Sequence, residues 1–169
     1  DIERQILKGI RQKHTGYYWF IGLPGTGKTL LLYDLAMKLS GRQKVCLIHC
    51  GRAGKEWRIL HERLWRIDYL SDEQIHENKD LSEYNGVLID EAHLLSEENL
   101  QMILEACGQQ PVIFSSDCED IISQEEFDRS TVKAMRHLPE MQTYHLTNRI
   151  RTNAELSSFI QHMMHLPKQ

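Results

Sequence analysis

The sequence predicts an α/β fold, a mostly parallel five-stranded sheet with helices on both faces. Short apolar runs alternate with amphipathic stretches along the chain, as they do where parallel strands are joined by crossover helices. A glycine-rich turn sits between the first apolar run and the first long amphipathic stretch. A later apolar run, Val87-Leu88-Ile89-Asp90, ends in a carboxylate, and sheets of this kind hold their ligands at the carboxyl ends of the strands.

Taken in order, strands are expected near Tyr17 to Ile21, Val45 to His49, Gly86 to Asp90, Pro111 to Ser115 and Thr143 to Leu146. Each is a run rich in β-branched, aromatic or other apolar residues. Helices are expected near Gly27 to Leu39, Lys55 to Trp65, Glu97 to Cys107 and Asn153 to Met164. The last opens on Thr152-Asn153-Ala154-Glu155, a capping box in which threonine and glutamate satisfy amides left unpaired at a helix start. Residues 68 to 84, rich in Asp, Glu, Asn and Ser, read as a solvated connection with one short helix after Ser71.

The 169 residues are 41% hydrophobic and 26% charged, which fits one domain spanning 1 to 169 with a sizeable core. A formal charge of −4 excludes a domain that is basic all over and coats nucleic acid by bulk electrostatics. The four cysteines, Cys46, Cys50, Cys107 and Cys118, show neither paired zinc spacing nor the density of a disulfide scaffold, and read as reduced thiols. No apolar run reaches the roughly 18 residues of a membrane span, and no secretory leader opens the chain. A cytoplasmic protein is expected. The start at Asp1 rather than Met suggests a domain cut from something longer.

Gly22-Leu23-Pro24-Gly25-Thr26-Gly27-Lys28-Thr29 satisfies G-x-x-x-x-G-K-[ST] between a strand and a helix, the setting that the phosphate loop requires. Glycines let consecutive backbone N–H groups turn inward around phosphate oxygens, and the following helix aims its positive end at the same point. Lys28 is expected to reach the β and γ phosphates of ATP, and the Thr29 hydroxyl to ligate Mg²⁺. Asp90 is the expected acid on the metal side. Glu91, directly after it, can take a proton from water attacking the γ-phosphate, which favours hydrolysis over transfer to another acceptor.

Asp90-Glu91-Ala92-His93 resembles the DExx box of helicases, and its spacing from the phosphate loop is similar to that of superfamily 1 helicases of the UvrD and Rep type and of schlafen-type helicase-like ATPases. The resemblance implies the first RecA-like domain of such a protein. Ser116-Asp117-Cys118-Glu119-Asp120 resembles their G-D-x-x-Q motif, with Asp120 where the γ-phosphate-sensing glutamine stands. Leu146-Thr147-Asn148-Arg149-Ile150-Arg151-Thr152 is similar to their L-x-x-N-Y-R-S segment. That implies an Arg151 that contacts the γ-phosphate, while Arg149 and Ile150 depart from the pattern. Gln5 lies where the family carries its adenine-reading glutamine. His49-Cys50-Gly51-Arg52-Ala53-Gly54-Lys55, followed by Arg58, Arg63 and Arg66 interleaved with Trp57 and Trp65, lies where the family touches single-stranded DNA or RNA.

Three functions are compatible with these residues. The first is the N-terminal motor core of a helicase or nucleic-acid-stimulated ATPase, which needs a second RecA-like domain to unwind a duplex. The second is a nucleotide-dependent switch of the AAA or signalling ATPase type. The third, a kinase-type enzyme, is disfavoured by Glu91 beside Asp90.

Overall fold

Tyr17–Gly22 (β1), Val45–His49 (β2), Ile67–Ser71 (β3), Val87–Asp90 (β4), Val112–Asp117 (β5) and Gln142–Leu146 (β6) form one sheet in the order β3-β2-β4-β5-β1-β6. Every neighbouring pair is parallel. The computed structural model describes residues 2–23, 28–41, 43–51, 66–76, 79–117 and 131–146. The expected helices near Lys55 to Trp65 and Asn153 to Met164 lie outside the described residues.

Two apolar layers enclose the sheet. On one face Ile2–Lys13 (α1) and Lys28–Leu39 (α2) bury Ile6, Leu7, Ile10, Leu32 and Leu35 against Tyr18, Phe20, Leu47, Leu88 and Ile113. On the other, Glu97–Ala106 (α3) and Thr131–Arg136 (α4) bring Leu100, Ile103, Val132 and Met135 to Trp19, Ile48, Ile89 and Phe114. Strands covered on both faces must be apolar on both, and β2 and β4 are buried at every position. The start of α3 is local chemistry, since the Ser96 hydroxyl accepts the Asn99 N–H at 3.0 Å and satisfies an orphan amide of the first turn.

Among the described residues the sheet has six strands rather than the five expected, and all of them are parallel. The added strand is β3, at the start of the stretch read as a solvated connection. Its Asp68 and Ser71 hide the pattern, but β2 offers a free edge and pairs with it in register from Val45–Ile67 to His49–Ser71. As an edge strand it needs little apolar cover, and four of its residues are only partly buried. The expected short helix after Ser71 is a single 3₁₀ turn, Asp72–Gln74. Neither α1 nor α4 was among the expected helices. The first is strongly amphipathic and held by its Ile6, Leu7 and Ile10 stripe, and the second is only six residues long.

Candidate active site

Strand alternation decides which side chains reach the site. Side chains two apart share a face. On the face covered by α2, the series Tyr18 and Phe20 continues to Gly22, Val45 and Leu47 to His49, Leu88 to Asp90, and Ile113 to Asp117. All four end points lie at the carboxyl edge, where α2 begins with Lys28 and Thr29.

Strand order adds a feature that motif spacing does not show. The strand carrying the phosphate loop, β1, is not adjacent to β4, because β5 lies between them. Asp117, the last residue of β5, therefore stands between Gly22 at the end of β1 and the acid pair. The Lys28 ammonium pairs with Asp117 Oδ1 at 2.7 Å and donates to the carbonyls of Gly22 at 2.9 Å and Leu23 at 3.1 Å. Three oxygens thus meet the three donors of one buried lysine.

On its other side Asp117 meets His93. The Asp117 N–H donates to His93 Nδ1 at 3.2 Å, so Nδ1 accepts and the ring proton of neutral His93 lies on Nε2. That nitrogen lies 3.4 Å from Asp117 Oδ2 and 3.5 Å from Glu91 Oε2. Among the described residues, Glu91, His93 and Asp117 offer donor atoms within 4.8 Å of one another, a set that a cation could share.

Asp90 is 1% exposed. Its Oδ1 accepts the Glu91 N–H at 3.1 Å, and its Oδ2 lies 3.1 Å from His49 Nδ1. Glu91 takes a left-handed backbone conformation, φ 55° and ψ 43°. Only a small fraction of non-glycine residues do so, and such strain concentrates at functional positions. The turn lifts the Glu91 carboxyl out of the strand toward Asp117 and His93. Burial raises its pKa above the ordinary glutamate value, and the neighbouring charges of Asp90 and Asp117 push the same way against Lys28 and His49.

Of the residues picked from the sequence, Gly22, Lys28, Thr29, Asp90 and Glu91 come to this one edge. Gln5 lies on the exposed side of α1. Pro24, Gly25, Thr26, Gly27, Asp120, Arg151 and the basic stretch 52–65 lie outside the described residues. Three participants were not picked as site residues: Asp117, His93 and His49. A polar residue closing an otherwise apolar run marks His49 and Asp117 in the sequence, and His93 lies inside the DExx box. Cys46, Cys50 and Cys107 are free thiols; Cys50 borders the site, its backbone N–H donating to the Asp90 carbonyl at 3.1 Å, and burial pushes Cys46 and Cys107 up to about 12.

A profile of the schlafen group 3 DNA/RNA helicase domain matches residues 18–169. The chain belongs to that family. The schlafen helicase domain also resembles solved helicase and motor structures. The Pyrococcus furiosus Hef helicase domain superposes with a TM-score of 0.49 at 14% identity, over 86% of this chain and 38% of that one. The Thermotoga maritima RuvB Holliday junction branch migration motor gives 0.44 at 15% identity, over 95% and 48%. The chain thus spans less than half the length of either neighbour. None of the curated proteins compared matches this schlafen domain. Among its described residues, no helix is long and apolar enough to cross a membrane.

Proposed function

We propose that this schlafen-family helicase domain binds ATP with Mg²⁺ and hydrolyses it, as the N-terminal motor core of a nucleic-acid-stimulated ATPase. The observation that carries the reading is the convergence of Lys28, Asp90, Glu91 and Asp117 at one sheet edge, at the N-terminus of α2. A helix N-terminus and a buried lysine suit a polyphosphate. A buried carboxylate and a half-buried threonine hydroxyl at the same carboxyl edge of the sheet suit a hard, oxygen-seeking cation. The residues present therefore fit Mg²⁺·ATP, with Gly22, Pro24, Gly25, Thr26, Gly27 and Lys28 around the phosphates and Thr29 and Asp90 toward the metal. Gln5 is assigned to the adenine edge, where an amide that both donates and accepts prefers ATP to GTP.

Bound Mg²⁺ would neutralise charge on the β and γ phosphates. Glu91 takes a proton from the attacking water, the water oxygen bonds to the γ-phosphorus, and the bond to the β–γ bridging oxygen breaks to release ADP. A carboxyl with a raised pKa is, once ionised, a stronger base than an ordinary glutamate. Arg151 is assigned to the charge that develops on the phosphoryl oxygens. Single-stranded DNA or RNA is the proposed stimulating partner, engaged by the basic, tryptophan-bearing stretch after β2. Duplex unwinding belongs to a longer protein with a second RecA-like domain.

The test is phosphate release with and without single-stranded DNA or RNA, for the wild type and Glu91→Gln. Turnover that rises with nucleic acid and vanishes in the variant is the expected result. Turnover that ignores every nucleic acid while ATP changes binding to a partner protein would favour the switch function instead. ATP binding with no turnover in any context would remove the hydrolase reading.

A further inference from the structure

Asp90 is held from two directions. Its Oδ1 takes the backbone N–H of the next residue, which any residue at 91 except proline supplies. Its Oδ2 takes a side chain from another strand, His49 Nδ1 at 3.1 Å. In the parallel ladder His49 and Asp90 are register partners, and both close the series that faces α2. Both are buried, His49 at 8% and Asp90 at 1% exposure. A carboxylate only accepts, so the contact places a proton on Nδ1.

We propose that His49 is a positioning residue for Asp90, fixing the carboxylate so that its free lone pairs point at the Mg²⁺ of bound nucleotide. This rests on the reading of Asp90 as the acid on the metal side. A carboxylate pinned through both oxygens has little rotamer freedom left to lose when a cation arrives. Groups that orient a metal-side carboxylate in this way are worth about 10- to 100-fold in metal affinity. Such a role separates two quantities. His49 should govern how much Mg²⁺ nucleotide binding requires, and should leave metal-free ATP binding, which depends on the phosphate loop and Lys28, unchanged.

The experiment titrates Mg²⁺ into the full chain with ATP present and reads nucleotide binding by calorimetry, with a parallel series in EDTA. His49→Ala and His49→Leu lack the donor, and Leu keeps bulk in the buried site should Ala fail to fold. His49→Asn carries an amide N–H close to where Nδ1 stands. The expected result is a Mg²⁺ requirement raised about 10- to 100-fold in the Ala and Leu proteins, restored in the Asn protein, with ATP binding in EDTA alike in all. An unshifted requirement in folded Ala or Leu protein overturns the proposal, and so does a shift that folded His49→Asn fails to repair. Asp90→Asn separates the two layers. If its Mg²⁺ requirement shifts while that of His49→Leu does not, the proposal falls alone. If Asp90→Asn also leaves the requirement unchanged, the reading of Asp90 falls and takes the proposal with it.

Discussion

Lys28, the first residue of α2, and Asp117, the last of β5, face each other at 2.7 Å across the carboxyl edge of the sheet. The same ammonium is the group assigned to the β and γ phosphates, so the carboxylate and the nucleotide draw on one cation. Asp117→Asn keeps an oxygen there without the charge. It should raise ATP affinity by about two- to tenfold, up to about 1.4 kcal/mol, as read by equilibrium titration. A fall in affinity would mean that Asp117 works with the nucleotide rather than against it.

Lys28→Ala should cut ATP affinity by about ten- to a hundredfold, the equivalent of one charge-assisted contact at about 1.5–3 kcal/mol. The fold should survive, because the substitution truncates one side chain at the sheet edge. Calorimetry on a protein with a wild-type circular dichroism spectrum checks both halves, and unchanged affinity would remove Lys28 from the site.

Glu91→Gln should retain Mg²⁺·ATP binding and lose about 10²- to 10⁴-fold in turnover, the usual yield of a positioned base. It should also change stability in a pH-dependent way. A carboxyl whose pKa is raised on folding stabilises the fold while protonated, and that contribution is lost as pH rises through its folded-state value. Gln mimics the neutral form at every pH. The variant should therefore melt higher than the wild type at neutral pH, and the difference should close on acidification below the ordinary glutamate value. Thermal melts across that range decide it, and a gap that widens on acidification would contradict the burial of Glu91.

Arg151→Ala should lower the hydrolysis rate far more than ATP affinity, because its guanidinium is assigned to charge that appears only in the transition state. Fully engaged arginines of this kind are worth about 10³-fold or more, and the effect should be larger in a protein carrying the second RecA-like domain. Equal losses in kcat and in affinity would place Arg151 on the ground state instead.

Leu88→Ala should cost about 2–5 kcal/mol. Leu88 is fully buried in β4, between β2 and β5 and beneath α2, where no neighbour can close the cavity without moving the acid strand. Chemical denaturation checks the value, and a cost under about 1 kcal/mol would show that the layer relaxes.

Much of this protein was legible locally. The strand ending in Asp90, the helix that opens on Lys28 and the strands near residues 17, 45, 87, 112 and 142 follow from apolar periodicity and from residue types that act over a few positions. The edge strand β3 and the short α4 escaped, since each gains its stability from a partner far along the chain rather than from its own pattern.

Sequence by itself singled out Lys28, Thr29, Asp90 and Glu91 as the candidates for the chemistry proposed here, because a phosphate loop and an acid pair need those residue types at short, fixed spacings. Only the tertiary structure decided that β5 lies between β1 and β4, and so that Asp117 meets Lys28, His93 meets Asp117 and His49 meets Asp90. Those pairings depend on strand order and register, which are set when distant segments bury their apolar faces together. No spacing along the chain records which strand ends up beside which.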